Sequence, residues 1–353
     1  YSLLLTLYSL LLTPNPLLLT LHLLASSLSN FPTFYLEEFS LSTIMEPVTR
    51  SNVSAGALAV CVAAALWGLD GVVLTPRLFN LGVPLVVFLL HAVPFALMQP
   101  VLWGCWRRLW SFDRRTWLVL FLVSLTGGLI GTLAIVKALF LVGFKQLSVV
   151  VLLQKLQPVF AIFLAAVLLR ERLTGRFVTW AASAIAGGYL LTFGLSAPDF
   201  AGGDRIVHAA IFALVAAASF GAATVFGKLL LGTVEFRTAT FARYGLTTVL
   251  ALAYLGASGV GLPLATVTQA NWVIILVISL TTGSGAIFLY YWGLTRVRAT
   301  VATICELCLP LSAVILDYAV NGTRLGPWQI LGGLVLIGSI LRISTMKTET
   351  STA

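Results

Sequence analysis

Two stretches of this sequence repeat one pattern and decide the fold. Gln146–Thr174 reads QLSVVVLLQKLQPVFAIFLAAVLLRERLT, and Arg298–Gly326, 152 positions later, reads RATVATICELCLPLSAVILDYAVNGTRLG. Both are long apolar runs with a polar residue and a proline at the same places. The register pairs Gln154 with Glu306, Pro158 with Pro310, Arg172-Leu173 with Arg324-Leu325, His91 with Arg243 and, at an offset of 153, Trp67-Gly68 with Phe220-Gly221. Such agreement along one register indicates an internal duplication.

The composition around these stretches is that of a membrane protein. Hydrophobic residues make up 59% of the 353 positions and charged residues 9%, with a mean hydropathy of +1.02. A soluble domain needs roughly a quarter charged residues. Lipid requires that each spanning segment satisfy its own backbone, as helices and closed barrels do. Because the apolar runs lack the alternation of barrel strands, they predict helices.

The sequence predicts about ten membrane spans, each near the 20 residues that cross a bilayer. Five spans per repeat is an odd number, so the second repeat enters the membrane upside down. Inverted repeats place a substrate site near the midplane between them, which favours transport by alternating access. The predicted spans are Ala55–Leu74, Val83–Trp103, Trp117–Phe140, Gln146–Leu169, Phe177–Phe193, Val207–Leu231, Thr238–Ala257, Trp272–Leu294, Ala299–Val320 and Trp328–Ile343.

The loop charges predict the orientation. Fourteen Arg and Lys residues fall in or beside one set of loops and four in the other. The positive-inside rule therefore places both ends of the ten-helix unit in the cytoplasm. It also explains the net charge of +9 without a nucleic-acid partner, since no basic aromatic face is visible.

The chain divides into four predicted regions. Residues 1–44 are Leu/Ser/Thr-rich, contain no Lys or Arg, and are broken by Pro14 and Pro16. We therefore expect an extension outside the fold, with non-native coding sequence as one explanation of it. The repeats are expected at 45–196 and 197–345, and 346–353 form a cytoplasmic tail. A chain truncated to start at Met45 should still insert.

Several of these motifs are known together from one group of transporters. Trp67-Gly68, Leu156-Gln157-Pro158 followed by Arg170-Glu171-Arg172-Leu173-Thr174, Arg243, and Pro310 before a Gly-rich last span resemble the drug/metabolite transporter superfamily, in particular its EamA-type ten-helix members. The resemblance covers about residues 51–345. It implies export or exchange of amino acids, nucleotide-sugar-like metabolites or drugs through a central cavity. The sequence departs from it at His91, where Arg is frequent, and at Thr323, where a second Glu is usual.

Ionisable side chains within spans are costly and are therefore functional candidates. Lys155 and Glu306 lie at similar predicted depths, so Glu306 is expected to bind a proton or a substrate amine and Lys155 to pair with it. A buried ion pair that only fixes helix register is the alternative. Asp70 could pair with Lys137 or Lys155, or bind a cationic group.

Other polar and aromatic candidates line the same spans. Thr303, Glu306, Pro310 and Asp317 share one helix face, as do Gln154, Gln157 and Pro158. These faces are predicted to line a polar cavity, with polar contact between helices as the alternative. Pro158 and Pro310 are hinge candidates, because each frees the carbonyl four residues earlier. The remaining candidates are Trp67 and His91, Tyr290 and Tyr291 as an aromatic wall, and Arg243, which either snorkels to the interface or holds an anionic group.

These features predict a secondary transporter of small polar or amphipathic metabolites, with amino acids as the first expected substrate class and protons as a candidate coupling ion. A membrane-embedded enzyme would need a catalytic constellation, and no catalytic motif is visible. A membrane scaffold should bury almost no ionisable groups. No cofactor or metal is predicted, since Cys305-x-x-Cys308 lacks further ligands. The expected location is a bacterial inner membrane, as monomer or homodimer.

Overall fold

Long apolar runs interrupted by polar loops fold into a bundle of helices. The computed structural model describes residues 50–143, 147–196, 203–259, 261–321 and 325–346, and all regular structure among them is helical. These helices belong to one compact unit, Val48–Ala353. The predictions for residues 1–44 and for the C-terminal tail beyond 346 fall outside the described residues.

In the part of the chain that the structure describes, ten long helices correspond to the ten predicted spans. Eight of the helices in the described residues are long and apolar enough to cross a membrane. The other two, α5 and α7, are of similar length, and a short helix, Cys105–Leu109, connects α2 to α3. In chain order they are α1 (Asn52–Leu78), α2 (Val83–Leu102), α3 (Arg114–Leu141), α4 (Val149–Leu168), α5 (Gly175–Phe193), α6 (Asp204–Leu231), α7 (Phe236–Ala257), α8 (Gln269–Leu294), α9 (Ala299–Leu316) and α10 (Pro327–Ser344).

The helix contacts repeat with a period of five helices. Helix α3 packs on α6 and α8 on α1, while α4 also packs on α6 and α9 on α1. Two further contacts complete the bundle, α2 with α7 and α5 with α10, and in each of them a helix packs against its own equivalent in the other repeat. Exchanging every helix with the one five positions later maps these contacts onto each other, so the predicted fold of two five-helix repeats is confirmed.

The Trp67-Gly68 and Phe220-Gly221 motifs mark equivalent close contacts. A Cβ at Gly68 would lie 2.7 Å from the Leu309 carbonyl oxygen in α9, and a Cβ at Gly221 would lie 2.9 Å from the Gln157 carbonyl oxygen in α4. Leu309 and Gln157 are themselves equivalent, 152 positions apart. Each repeat therefore uses a glycine in its first helix to bring that helix against the fourth helix of the other repeat.

Helical irregularities fall at equivalent places in the repeats. Helix α3 contains a π-helical segment, Ser124–Ile130, and α8 contains another, Ser279–Gly283. Both begin with Ser-Leu-Thr. The fourth helices are interrupted as well. The span α4 lies within two helical segments, Leu147–Gln154 and Gln157–Leu168, and the span α9 lies within Ala299–Cys305 and Cys308–Asn321. Interrupted helices bring backbone and polar side chains to membrane depth, which is tolerated where they are buried in protein or line a cavity.

Candidate functional site

The carboxylate of Glu306 lies at the interruption of α9 and is contacted by three other helices. The Tyr290 hydroxyl in α8 donates to Oε1 at 2.7 Å, and the Thr224 hydroxyl in α6 lies 3.1 Å from the same oxygen. The Gln157 amide in α4 donates to Oε2. Helices from both repeats therefore converge on one half-buried carboxylate, as expected of a site between inverted repeats.

The backbone explains why Glu306 stands at this point. The amide of Glu306 still bonds the Ala302 carbonyl at 2.9 Å, which completes the first segment of α9. Pro310 has no amide hydrogen and cannot bond the Glu306 carbonyl four residues earlier, as its sequence position predicts. This carbonyl instead accepts from the Leu309 amide at 3.0 Å. The Glu306 carbonyl is therefore bonded within the helix interruption, and the carboxylate is the polar group that the interruption presents to the other helices.

An aromatic surface adjoins the carboxylate. The Trp67 ring of α1 lies 5.3 Å from that of Tyr290, and the Tyr290 and Tyr291 rings are 6.0 Å apart, measured between centroids. Tyr290 and Tyr291 are both buried. The predicted aromatic wall is present. Each tyrosine hydroxyl also forms a hydrogen bond, Tyr290 with Glu306 and Tyr291 with Arg243.

Arg243 lies inside the bundle, so the prediction that it snorkels to the interface is wrong. Its side chain is only 9% exposed, and Nη1 donates to the Tyr291 hydroxyl at 3.1 Å. The guanidinium carbon lies 5.5 Å from the Tyr291 ring centroid, a cation–π contact. A Cβ at Gly127 in α3 would come within 2.7 Å of Nη2, so glycine makes room for the charge. The alternative role, holding an anionic group, stays a prediction.

Lys155 does not pair with Glu306, and this part of the prediction is wrong. Its ammonium donates to the Gly188 carbonyl of α5 at 2.9 Å and lies 5.4 Å from the Phe193 ring centroid. The prediction compared only depths along the helix axes. Lys155 lies in the interruption of α4 and reaches α5, whereas Gln157, at the start of the second segment, is the residue that reaches Glu306.

The other predicted residues lie apart from the carboxylate contacts. Asp70 begins the π segment of α1 and accepts from the Thr75 hydroxyl at 3.0 Å instead of pairing with Lys155. His91 Nδ1 lies 2.8 Å from the Val87 carbonyl oxygen, and its ring is 5.5 Å from that of Tyr244. Within the described chain, the buried Thr303 hydroxyl has no hydrogen-bond partner.

Gln154, Pro158 and Pro310 occupy the predicted helix interruptions. Gln154 ends the first segment of α4 and is half-buried, and the two prolines are buried near the starts of the second segments. The side chain of Asp317 is outside the described residues. Their roles in binding or hinge motion stay predictions.

Thr224 is the site residue that sequence reasoning missed. Its hydroxyl lies 3.0 Å from the Tyr290 hydroxyl and 3.1 Å from Glu306 Oε1. The available signal was its spacing, because Thr224 follows the Phe220-Gly221 motif by one helical turn. A lone threonine in an apolar helix is otherwise unremarkable, since its hydroxyl can bond the carbonyl four residues earlier.

Comparison with known proteins places this arrangement among membrane transporters. Residues 54–193 and 208–345 each match the EamA-like transporter family. The chain belongs to the EamA-like transporter family, and the two matches confirm the resemblance and the tandem architecture. It is therefore a transporter of small molecules and not an enzyme.

Two individual proteins show the similarity in detail. The chain is 49% identical to the riboflavin transporter ImpX of Fusobacterium nucleatum over 295 residues, covering 83% of this chain and 98% of that protein. The amino-acid substrate expected first thus finds no support in that relative. A crystal structure of another protein superposes with a TM-score of 0.62 over 86% of this chain and 100% of its own, at 16% identity. That likeness concerns the fold alone.

Proposed function

We propose that this protein carries riboflavin, or a flavin close to it, across the membrane. The observation that carries the proposal is the 49% identity to a riboflavin transporter over nearly its whole length. Identity at that level spans both repeats, so it includes the helices that surround Glu306.

The chemistry around Glu306 suits such a substrate. Riboflavin is a flat, uncharged ring system with hydrogen-bonding groups along one edge and a polyhydroxyl chain. Trp67 and Tyr290 offer aromatic faces, and aromatic rings pack well against flat π-systems. Glu306 and Gln157, which touch each other beside those rings, offer an acceptor and an amide for a polar edge.

Transport would follow the alternating access expected of inverted repeats. The interrupted helices α4 and α9 meet where Gln157 contacts Glu306, so relative motion of the repeats would open this point to either side in turn. Glu306 is our candidate for the proton-coupling group, because it is the carboxylate at the centre of the contacts. The sequence first suggested export or exchange. In this proposal the gradients of substrate and protons set the net direction of transport, whether export, exchange or uptake.

We further propose that the protein resides in a bacterial inner membrane, with both ends of the ten-helix unit in the cytoplasm. The support is the asymmetry of basic residues between the two sets of loops.

The decisive experiment is flux into proteoliposomes that contain the purified protein. Labelled riboflavin, flavin mononucleotide and a panel of amino acids are compared, each with and without an imposed pH gradient. Saturable riboflavin uptake, competed by unlabelled riboflavin and unaffected by amino acids, is expected. Uptake no greater than in protein-free liposomes, or competition by an amino acid instead, would overturn the flavin proposal.

A further inference from the structure

A second polar cluster ties the two repeats together at one end of the bundle. Glu171, in the loop between α4 and α5, reaches the start of α9. Its Oε1 accepts from the Ala299 amide at 2.8 Å, and its Oε2 accepts from the Thr300 amide at 3.1 Å and from the Thr300 hydroxyl at 2.6 Å. One carboxylate thus holds two backbone amides and a side chain of the other repeat.

Arg298 adds charge to the same contact. Its Nε lies 3.4 Å from Glu171 Oε2, and its Nη2 donates to the Arg172 carbonyl at 2.7 Å. We call Glu171, Arg298, Ala299 and Thr300 the Glu171 latch. The loops that form it belong to the arginine-rich set, and we call this end of the bundle the basic end.

Burial distinguishes the Glu171 latch from the ion pair between Arg108 and Glu235, which also lies at the basic end. The Glu171 side chain is 10% exposed, so its charge depends on the hydrogen bonds it receives. Arg108 and Glu235 also bridge the repeats, but their side chains are 59% and 42% exposed. Exposed ion pairs contribute little. Glu171 is therefore the stronger of these two connections.

The latch is connected to the Glu306 site through a short stretch of helix. The first segment of α9, Ala299–Cys305, begins at the latch and ends immediately before Glu306. Holding Ala299 and Thr300 therefore fixes the end of the segment that presents Glu306. The sequence register puts Thr323 at the position of Glu171 in the second repeat, so the carboxylate is present in one copy only.

We propose that Glu171 is a positioning residue that keeps the basic end of the transport pathway closed by clasping the start of α9, and that opening this end requires its release. The inference rests on the alternating access proposed above but not on the identity of the substrate. Weakening the latch then shifts the population toward the state open at the basic end.

The test measures access to Cys305, which is fully buried in the clasped segment. A parent protein keeps Cys305 and carries Cys61→Ala, Cys105→Ala and Cys308→Ala. A membrane-impermeant charged maleimide is applied to sealed vesicles of each orientation, so that labelling from the basic end and from the opposite end is measured separately. The variants are Glu171→Gln, Thr300→Val and, as the matched control, Glu235→Gln.

Glu171→Gln is expected to raise labelling from the basic end by roughly fivefold or more, the low end of usual coupling between sites, and to lower it from the opposite end. Thr300→Val should act in the same direction more weakly, and Glu235→Gln should resemble the parent. Labelling that rises equally from both ends, or equally in Glu171→Gln and Glu235→Gln, would overturn the proposal. If Glu171→Gln does not insert, Thr300→Val decides by the same criterion. Because the readout needs no riboflavin, failure of the flavin proposal alone would leave this result intact.

Discussion

The hydroxyl of Tyr290 and the carboxylate of Glu306 are joined by a 2.7 Å hydrogen bond from one helix of the second repeat to the next. The hydroxyl of the neighbouring Tyr291 instead accepts a hydrogen bond from Arg243 Nη1. Two adjacent tyrosines on α8 thus contact the carboxylate of Glu306 and the guanidinium of Arg243. Because Glu306 is the carboxylate at the centre of these contacts, its substitution is the first test of the site.

Replacing Glu306 with Gln is expected to abolish coupled transport while the protein still inserts. The amide is similar in size but cannot carry the proton or the negative charge. Riboflavin flux with and without a pH gradient measures the effect, and the amount of folded protein in the membrane is followed by fluorescence-detected size exclusion. The exposed Glu235→Gln is the control. Wild-type flux in Glu306→Gln would reduce Glu306 to a structural role.

The hydroxyl of Tyr290 can be removed without removing its ring. Tyr290→Phe keeps the ring beside Trp67 but deprives Glu306 Oε1 of its closest donor. A hydrogen bond to a charged group contributes about 1.5–3 kcal/mol, so we expect initial uptake to fall by about tenfold or more. Kinetics in proteoliposomes measure this. The control, Tyr189→Phe, removes a hydroxyl that bonds the Ser196 carbonyl near the end of α5, and a loss of the same size there would contradict a special role for Tyr290.

The sequence was sufficient to predict features that depend on the alignment of the two repeats. It was insufficient for features that depend on the direction in which a side chain leaves its helix. Glu306 and the glycine motifs were found because both repeats carry polar or small residues at matching positions, and Gln157 was found because it shares a helix face with Gln154. Lys155 was misassigned because depth along an axis says nothing about that direction, and Gln157 is the residue that reaches Glu306. The π segments were not predicted, since Ser124 and Ser279 begin them without any pattern that distinguishes a π turn from an α turn.

The glycine contacts between repeats predict a large difference between two neighbouring substitutions. A Cβ at Gly68 would lie 2.0 Å from Ser312 Oγ and 2.7 Å from the Leu309 carbonyl oxygen, whereas a Cβ at Gly71 meets nothing within 4 Å. Forcing an extra methyl group into a packed contact typically costs about 1–3 kcal/mol. Gly68→Ala should therefore lower the Tm in detergent by several degrees and Gly71→Ala should not. Equal Tm values for the two variants would show that α1 and α9 can move apart without a loss of stability.

Trp67 is predicted to contact the flavin ring directly. Aromatic stacking quenches flavin fluorescence, so titrating purified protein into riboflavin should reduce its emission if the flavin ring packs against Trp67. Trp67→Leu removes the aromatic face and should weaken both the quenching and the affinity, by roughly fivefold or more for the loss of a stacked aromatic. Trp67→Phe should retain most of both, because it keeps a smaller ring. The control is Trp110→Leu, since Trp110 is 88% exposed and lies beyond the short helix that follows α2. Quenching that survives Trp67→Leu unchanged would place the flavin elsewhere in the bundle.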